Sequence, residues 1–166
     1  MAKARRIIPD NVRDRFSYDP ETGVVMCHKT GRPIYACPVP GGRLLVNLDA
    51  TTVYLHRLIW KLMTGEQPPP VIDHIDGDGA NNRWANLRAA TYAQNRGNIR
   101  RSKNNRTGFK GVWKIPSGYR GLKRYGASIK IAGKNITIGR FHTAEEAHAA
   151  YCAAAKKYFG EFWNPG

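Results

Sequence analysis

The sequence predicts an α+β chain in two parts: a mixed strand-and-helix part, then a three-stranded antiparallel sheet packed on one helix. Three observations carry this. Short strand-like runs alternate with turns rich in Gly, Pro, Asp and Asn. Residues 56–63 and 143–160 carry apolar positions at helical spacing. The basic charge gathers at one end, since residues 1–95 hold 12 Lys and Arg against 9 Asp and Glu whereas residues 96–166 hold 15 against 3.

In chain order, Phe16-Ser17-Tyr18 enters a turn through Asp19-Pro20-Glu21-Thr22-Gly23, and Val24-Val25-Met26 returns from it as a hairpin. Residues 43–48 and 53–55 are further strands around the turn at 49–52. From His56 to Met63 the apolar positions Leu58, Ile59, Leu62 and Met63 make one helical face, and Gly65 is placed to end that helix. Pro68-Pro69-Pro70 then forces extended backbone. Val71-Ile72 is a short buried strand that delivers Asp73 and His74 at its end. Residues 76–86, rich in Gly, Asp and Asn, read as a loop, and 87–89 return as a strand. Thr91 and Gln94 have the spacing of a capping box, which puts Asn95 in the first turns of a helix.

Residues 96–106 lack apolar periodicity and read as a basic linker, with Arg96, Arg100, Arg101, Lys103 and Arg106 placed to lie along a phosphate backbone. Residues 109–114, 125–131 and 134–141 read as three strands joined by glycine turns, with Phe141 in the core. Thr143 and Glu146 form a second capping box. The helix that follows presents Ala147, Ala150, Tyr151, Ala154 and Tyr158 on one face, and Gly160 stops it.

Composition narrows the function. The chain has 166 residues, 42% of them hydrophobic, and no apolar run of the roughly 18 residues a membrane helix needs. Its N-terminus has no apolar signal core, so an intracellular setting is expected. Cys27, Cys37 and Cys152 are too few and too irregular for a disulfide framework, and with no Cys-x-x-Cys pair no structural zinc is expected. The net charge is +15, and from Arg96 to Arg140 there are 13 basic residues and no acidic one. That stretch suits a polyanion. Its interleaved Gly, Trp and Tyr favour nucleic acid over a membrane surface.

The polar cluster Asp73, His74, Asn86 and Asn95 suits phosphodiester hydrolysis, which needs a nucleophile, a base and positive charge on the phosphate and leaving oxygen. Asp73 and His74 are adjacent on a strand and so point to opposite faces. An imidazole with an ordinary pKa of about 6.5 can act as general base near neutral pH. Asp73 and the carbonyl oxygen of Asn95 make an all-oxygen set that favours magnesium, with manganese as the alternative, over zinc. Asn86 is cast as a loop clamp that keeps His74 oriented. Asp76 and Asp78 are loop residues. His56 is open between a phosphate contact and packing.

These residues resemble the HNH endonucleases of the ββα-metal fold, in the phage and homing form whose last His is Asn. The likeness runs over residues 16–98 and includes His56-Arg57-Leu58, Asp73-His74-Ile75-Asp76-Gly77-Asp78, Asn81-Asn82-Arg83, Asn86-Leu87-Arg88, Thr91 and Gln94-Asn95. It implies Asp73 and Asn95 as ligands of one divalent metal and His74 as the base. The chain departs from the commoner form with a final His, so fewer strong ligands hold the metal.

Gly108-Phe109-Lys110-Gly111-Val112, Ala127-Ser128-Ile129, Ile138-Gly139-Arg140-Phe141 and the helix from Thr143 to Tyr151 resemble the Apetala/ethylene-responsive-factor (AP/ERF) DNA-binding domain over about residues 107–164. That resemblance implies a sheet lying in the DNA major groove. Lys110, Trp113, Lys114, Arg120, Lys123, Arg124, Lys130 and Arg140 are the candidate contacts by position, with double-stranded DNA as partner. The expected organisation is an HNH nuclease domain with an N-terminal β-rich extension at 1–98, a basic linker at 99–106 and an AP/ERF-like domain at 107–166. The expected protein is a monomeric, metal-dependent DNA endonuclease of homing type, phage-encoded and acting in the cytoplasm or nucleoid of a bacterial host. The alternative is a sequence-specific DNA-binding transcriptional regulator whose nuclease half is inactive.

Overall fold

The computed structural model describes residues 7–49, 51–102, 104–116 and 124–165. Lys103, Arg120 and Lys123 lie outside the described residues. The fold is α+β, with small antiparallel sheets and several helices, and it divides into two compact units, Met1–Ala90 and Thr91–Gly166.

In the first unit a short helix α1 (Val12–Arg15) leads into the sheet β1 (Phe16–Tyr18), β2 (Val25–Cys27) and β3 (Arg32–Pro33). The expected first hairpin is present, with Phe16 opposite Cys27 and Tyr18 opposite Val25. Val24 belongs to its turn, and its carbonyl accepts from Asp19 N–H at 2.9 Å. A second sheet holds β4 (Cys37–Pro38), β5 (Leu44–Leu48) and β6 (Thr51–Tyr54). Helix α2 (Leu55–Thr64) buries Leu55, Leu58 and Ile59 against Phe16, Val25, Val46 and Val53, and Leu58 and Ile59 are 0% exposed. Met63 lies at the edge of that stripe and is 37% exposed, so it is not part of the buried face. Gly65 ends the helix as its spacing predicts, at φ 78°, a left-handed conformation that costs glycine nothing. Strand β7 (Val71–His74) pairs with β8 (Leu87–Ala90).

The intervening loop is braced from the first hairpin. Tyr18 Oη donates to Asn82 O at 2.7 Å, Arg83 Nε to Glu21 O at 2.8 Å and Trp84 N–H to Pro20 O at 3.1 Å. The loop is not wholly irregular, because Trp84–Asn86 forms a 3-10 turn and Trp84 packs on Trp60 with ring centroids 5.2 Å apart.

In the second unit, α3 (Tyr92–Asn98) begins with the expected capping box. Thr91 accepts from Gln94 N–H, and the Gln94 side chain accepts from Thr91 N–H. Strands β9 (Val112–Lys114), β10 (Tyr125–Ile131) and β11 (Lys134–Phe141) form one antiparallel sheet in the order β11-β10-β9, with a register shift at Ala127/Ser128. Helix α4 (Ala144–Phe159) packs on it. Only half of the second capping box forms. Thr143 Oγ1 accepts from Glu146 N–H, but the Glu146 carboxylate accepts from His142 N–H, one residue early.

The buried stripe of α4 is Ala144, Ala147, Tyr151, Ala155 and Phe159, so Ala154 and Tyr158 are displaced from the expected face and Tyr158 is 55% exposed. Gly97 on α3 explains the shift. A Cβ there would lie 2.5 Å from Phe159 Cγ, so the glycine opens the space that Phe159 fills. Phe141 is half-buried rather than core. Gly111 has φ +76°, and a methyl group there would overlap the Tyr151 ring. Gly111→Ala is therefore expected to cost the second unit about 3 kcal/mol through strain and overpacking, read as a lower urea midpoint.

Candidate active site

Four short elements of the first unit converge on His74. Strand β7 is buried along its whole length, and Asp73 and His74 are 3% and 5% exposed. Cross-strand register places Asp73 opposite Arg88. Arg88 Nε and Nη2 both donate to Asp73 Oδ2, at 3.0 and 2.9 Å, so a guanidinium fork fixes the carboxylate. Neighbouring side chains on a strand alternate sides, which directs His74 away from this ion pair.

Asn82 meets His74, with 3.3 Å between its Oδ1 and the His74 Nε2. The Asn82 amide donates through Nδ2 to Ala80 O at 3.0 Å, which turns Oδ1 toward the imidazole. Nε2 therefore carries the proton, and Nδ1 is the basic nitrogen of the neutral ring. Asn82 itself is 4% exposed and anchored by Tyr18.

His56, on the first turn of α2, completes the surround. Its ring meets His74 edge-on at 5.1 Å and 86°, and stacks on Tyr54 at 5.4 Å and 14°. It is 5% exposed, and its Nδ1 is buried without a hydrogen-bond partner. Of the two roles left open by the sequence, the structure gives it packing. Burial, with the charges of His74, Arg43 and Arg57, pushes His56 down to about 3. Burial also lowers His74 below the ordinary histidine value, with Arg43 adding to the effect, although the Asn82 contact and the charges of Asp76 and Asp73 oppose it.

Both histidines are thus held neutral in the fold, while the unfolded chain takes up protons below about pH 6.5. Stability is full above that pH and falls as the pH drops toward 3. From pH 7 to pH 5 the His56 share alone is about 2 kcal/mol. Urea unfolding at the two pH values measures it, and His56→Phe should remove that share.

Asn86 is a clamp, as its sequence position suggests, but it acts on the loop and not on the His74 ring. Its backbone carbonyl accepts from Ile75 N–H at 2.9 Å, its Oδ1 from Asp76 N–H at 3.0 Å, and its Nδ2 donates to Asn81 O at 2.8 Å. Asp76 is the hub of the same loop. It receives Asn86 Nδ2, Asp78 N–H and Asn81 Nδ2 at 3.0, 2.8 and 2.7 Å. Burial works to raise the Asp76 pKa, but these bonds and the His74 charge hold it below the usual carboxylate value.

Asn95 falls on α3 of the second unit and is half-buried. No group of three or more His, Cys, Asp or Glu able to hold a metal occurs among the described residues. The Asp73 carboxylate is a hard oxygen donor, and an ion bound through one carboxylate would complete its shell with water and phosphate oxygens.

Of the expected nucleic-acid contacts, Arg96, Arg100, Arg101, Arg106, Trp113, Lys114, Arg124, Lys130 and Arg140 are exposed. Lys110 is different. Its Nζ donates to Gly97 O at 3.0 Å and Asn164 O at 2.7 Å, and burial lowers it to about 8, so it ties the second unit together. The sequence did not mark Asn82, Arg88 or Tyr18 as site residues. Asn82 and Arg88 lie in the segments that carry the HNH resemblance, but their roles depend on loop shape and strand register.

Residues 53–96, which contain Asp73, His74, Asn86 and Asn95, match the family model described as HNH endonuclease. An uncharacterized HNH endonuclease, L560, of Acanthamoeba polyphaga mimivirus is 37% identical over 122 residues, which are 72% of this chain. The match spans 60% of that relative's length. A solved structure of the HNH homing endonuclease I-HmuI, concerned with its DNA binding and cleavage, is 28% identical, with a TM-score of 0.39 over 46% of this chain and 47% of that one. No described helix is long and apolar enough to cross a membrane. The segment that carries the Asp73–His74 strand end and its clamped loop is thus similar to HNH endonucleases.

Proposed function

We propose that the chain is a metal-dependent DNA endonuclease of homing type. The observation that carries this is His74. It is a neutral imidazole at a strand end, turned by Asn82 so that Nδ1 is basic, and it stands next to a carboxylate that Arg88 holds in place. In this reading His74 Nδ1 takes a proton from the attacking water. Asp73 would hold one divalent ion, magnesium first and manganese as the alternative. Asn95 is proposed as a second oxygen ligand on the resemblance alone. When bound, such an ion supplies positive charge to the scissile phosphate and the leaving oxygen. Asn86 and Asp76 keep the loop closed, so that the His74 backbone does not move during proton transfer.

We further propose that residues 107–166, within the second unit, form an AP/ERF-type module that binds double-stranded DNA and brings it to the cutting site as a monomer. Its three-stranded sheet backed by α4 and its exposed cations support this. Tethering would raise the local concentration of target at a modest active site. An intracellular setting, in a bacterial host and of phage origin, is part of the same proposal, and the free thiols Cys27, Cys37 and Cys152 suit it.

One observation favours the second reading, a DNA-binding regulator with a silent nuclease half: Asp73 is already neutralised by Arg88. Incubation of an end-labelled duplex with the protein and magnesium or manganese separates the two. Metal-dependent shortening supports the endonuclease. Binding without shortening in either metal supports the regulator.

A further inference from the structure

We propose that Arg43 is a phosphate-binding residue of the cutting site, gripping a backbone phosphate of the strand that lies beside His74. The proposal rests on the nuclease reading for its substrate and on two features of the first unit for its place.

Arg43 is exposed and, among the described residues, belongs to no ion pair. Its guanidinium lies over the Tyr54 ring, 5.9 Å from the centroid. Tyr54 stacks on His56, and His56 meets His74 edge-on, so one run of ring contacts joins the cation to the base. The other arginines around this site are occupied. Arg88 holds Asp73, Arg57 donates to Pro69 O at 3.0 Å, and Arg83 donates to Glu21 O.

The second feature is the backbone. Gly79, in the loop that Asn86 closes, sits against the Gly42–Arg43 turn so closely that a Cβ would lie 2.9 Å from Arg43 Cγ and 3.0 Å from its backbone nitrogen. The site loop and the root of Arg43 are therefore fixed to each other.

An exposed planar guanidinium held on an aromatic face, joined by ring contacts to the proposed base, has the chemistry of a phosphate clamp. The Tyr54 ring limits the conformations open to Arg43 before substrate arrives, so less order is lost on binding. A phosphate held there would also bring the strand to His74 in a fixed register.

The test uses the full chain and a linear duplex of random sequence. Binding is titrated against KCl in EDTA, and cleavage is measured separately with magnesium, for wild type, Arg43→Ala, Arg43→Lys and the exposed hairpin control Arg32→Ala. For Arg43→Ala the slope of log K against log salt should fall by about 0.9, the loss of one phosphate contact. Its kcat/KM should fall about ten- to a hundredfold. Arg43→Lys should keep the slope and recover part of the rate, because it keeps the charge but not the fork. Arg32→Ala should match wild type in both.

A wild-type slope in Arg43→Ala overturns the proposal. So does a loss of cleavage that Arg43→Lys fails to relieve while the slope is unchanged, since that would mark Arg43 as packing for Tyr54. A wild-type protein that binds the duplex without cutting it overturns the nuclease reading instead, and the slopes still decide Arg43.

Discussion

His74→Ala is expected to lower the single-turnover cleavage rate by about a thousandfold while leaving DNA affinity within about twofold of wild type. The size follows from general-base catalysis by a group already in its basic form. Burial keeps His74 below the ordinary histidine pKa, so no proton has to leave it before it acts. Affinity should survive, because the ring is 5% exposed and the cations proposed to grip DNA lie elsewhere. Asn82→Ala should give a smaller loss, since the base remains but its Nε2–H loses the oxygen that sets the tautomer. Rapid-quench cleavage and salt-matched binding titrations check both. A His74→Ala protein that cleaves at the wild-type rate would remove His74 from the mechanism.

Arg88→Ala should destabilise the first unit by about 3 kcal/mol. The Asp73 and Arg88 side chains are 4% and 16% exposed, so removing the guanidinium leaves a buried carboxylate without its ion-pair partner. Stability and function separate in the double variant. Replacing both residues with leucine should recover much of the stability, because two packed apolar groups need no desolvation of charge, and it should remain inactive because no carboxylate remains for metal. Urea unfolding of wild type, the single and the double variant measures the difference. An Arg88→Ala protein as stable as wild type would show that the ion pair contributes nothing to holding the strand end.

The site was legible in the sequence where chemistry and local geometry coincide. Val71-Ile72 after three prolines could only be extended and buried, so Asp73 and His74 had to stand at a strand end. The turn formers between 76 and 86 announced a loop, and Thr91 with Gln94 announced the start of α3. Contacts set by register were hidden. Arg88 faces Asp73 only because the loop has the length that pairs residue 73 with residue 88, and composition does not fix that. Asn82 reaches His74 through a loop shape braced by Tyr18, 64 residues earlier.

His56 was ambiguous for a different reason. A histidine on the first turn of a helix serves equally as a surface contact or as packing, and only the stacking of Tyr54 and the edge-on contact of His74 decide. The α4 stripe shows the same limit at the level of the fold. Positions 154 and 158, and 155 and 159, form two neighbouring rows about 100° apart around a helix. The void left by Gly97 on α3, more than any periodicity, selects Phe159 for burial.

The most direct test of the account is conversion of supercoiled plasmid by wild-type and Asp73→Ala protein side by side, each with magnesium and with EDTA. The account predicts nicked or linear product from wild type with magnesium alone, and none from Asp73→Ala or in EDTA. Equal conversion by Asp73→Ala, or conversion that persists in EDTA, would contradict it by placing the chemistry outside the Asp73–His74 strand end.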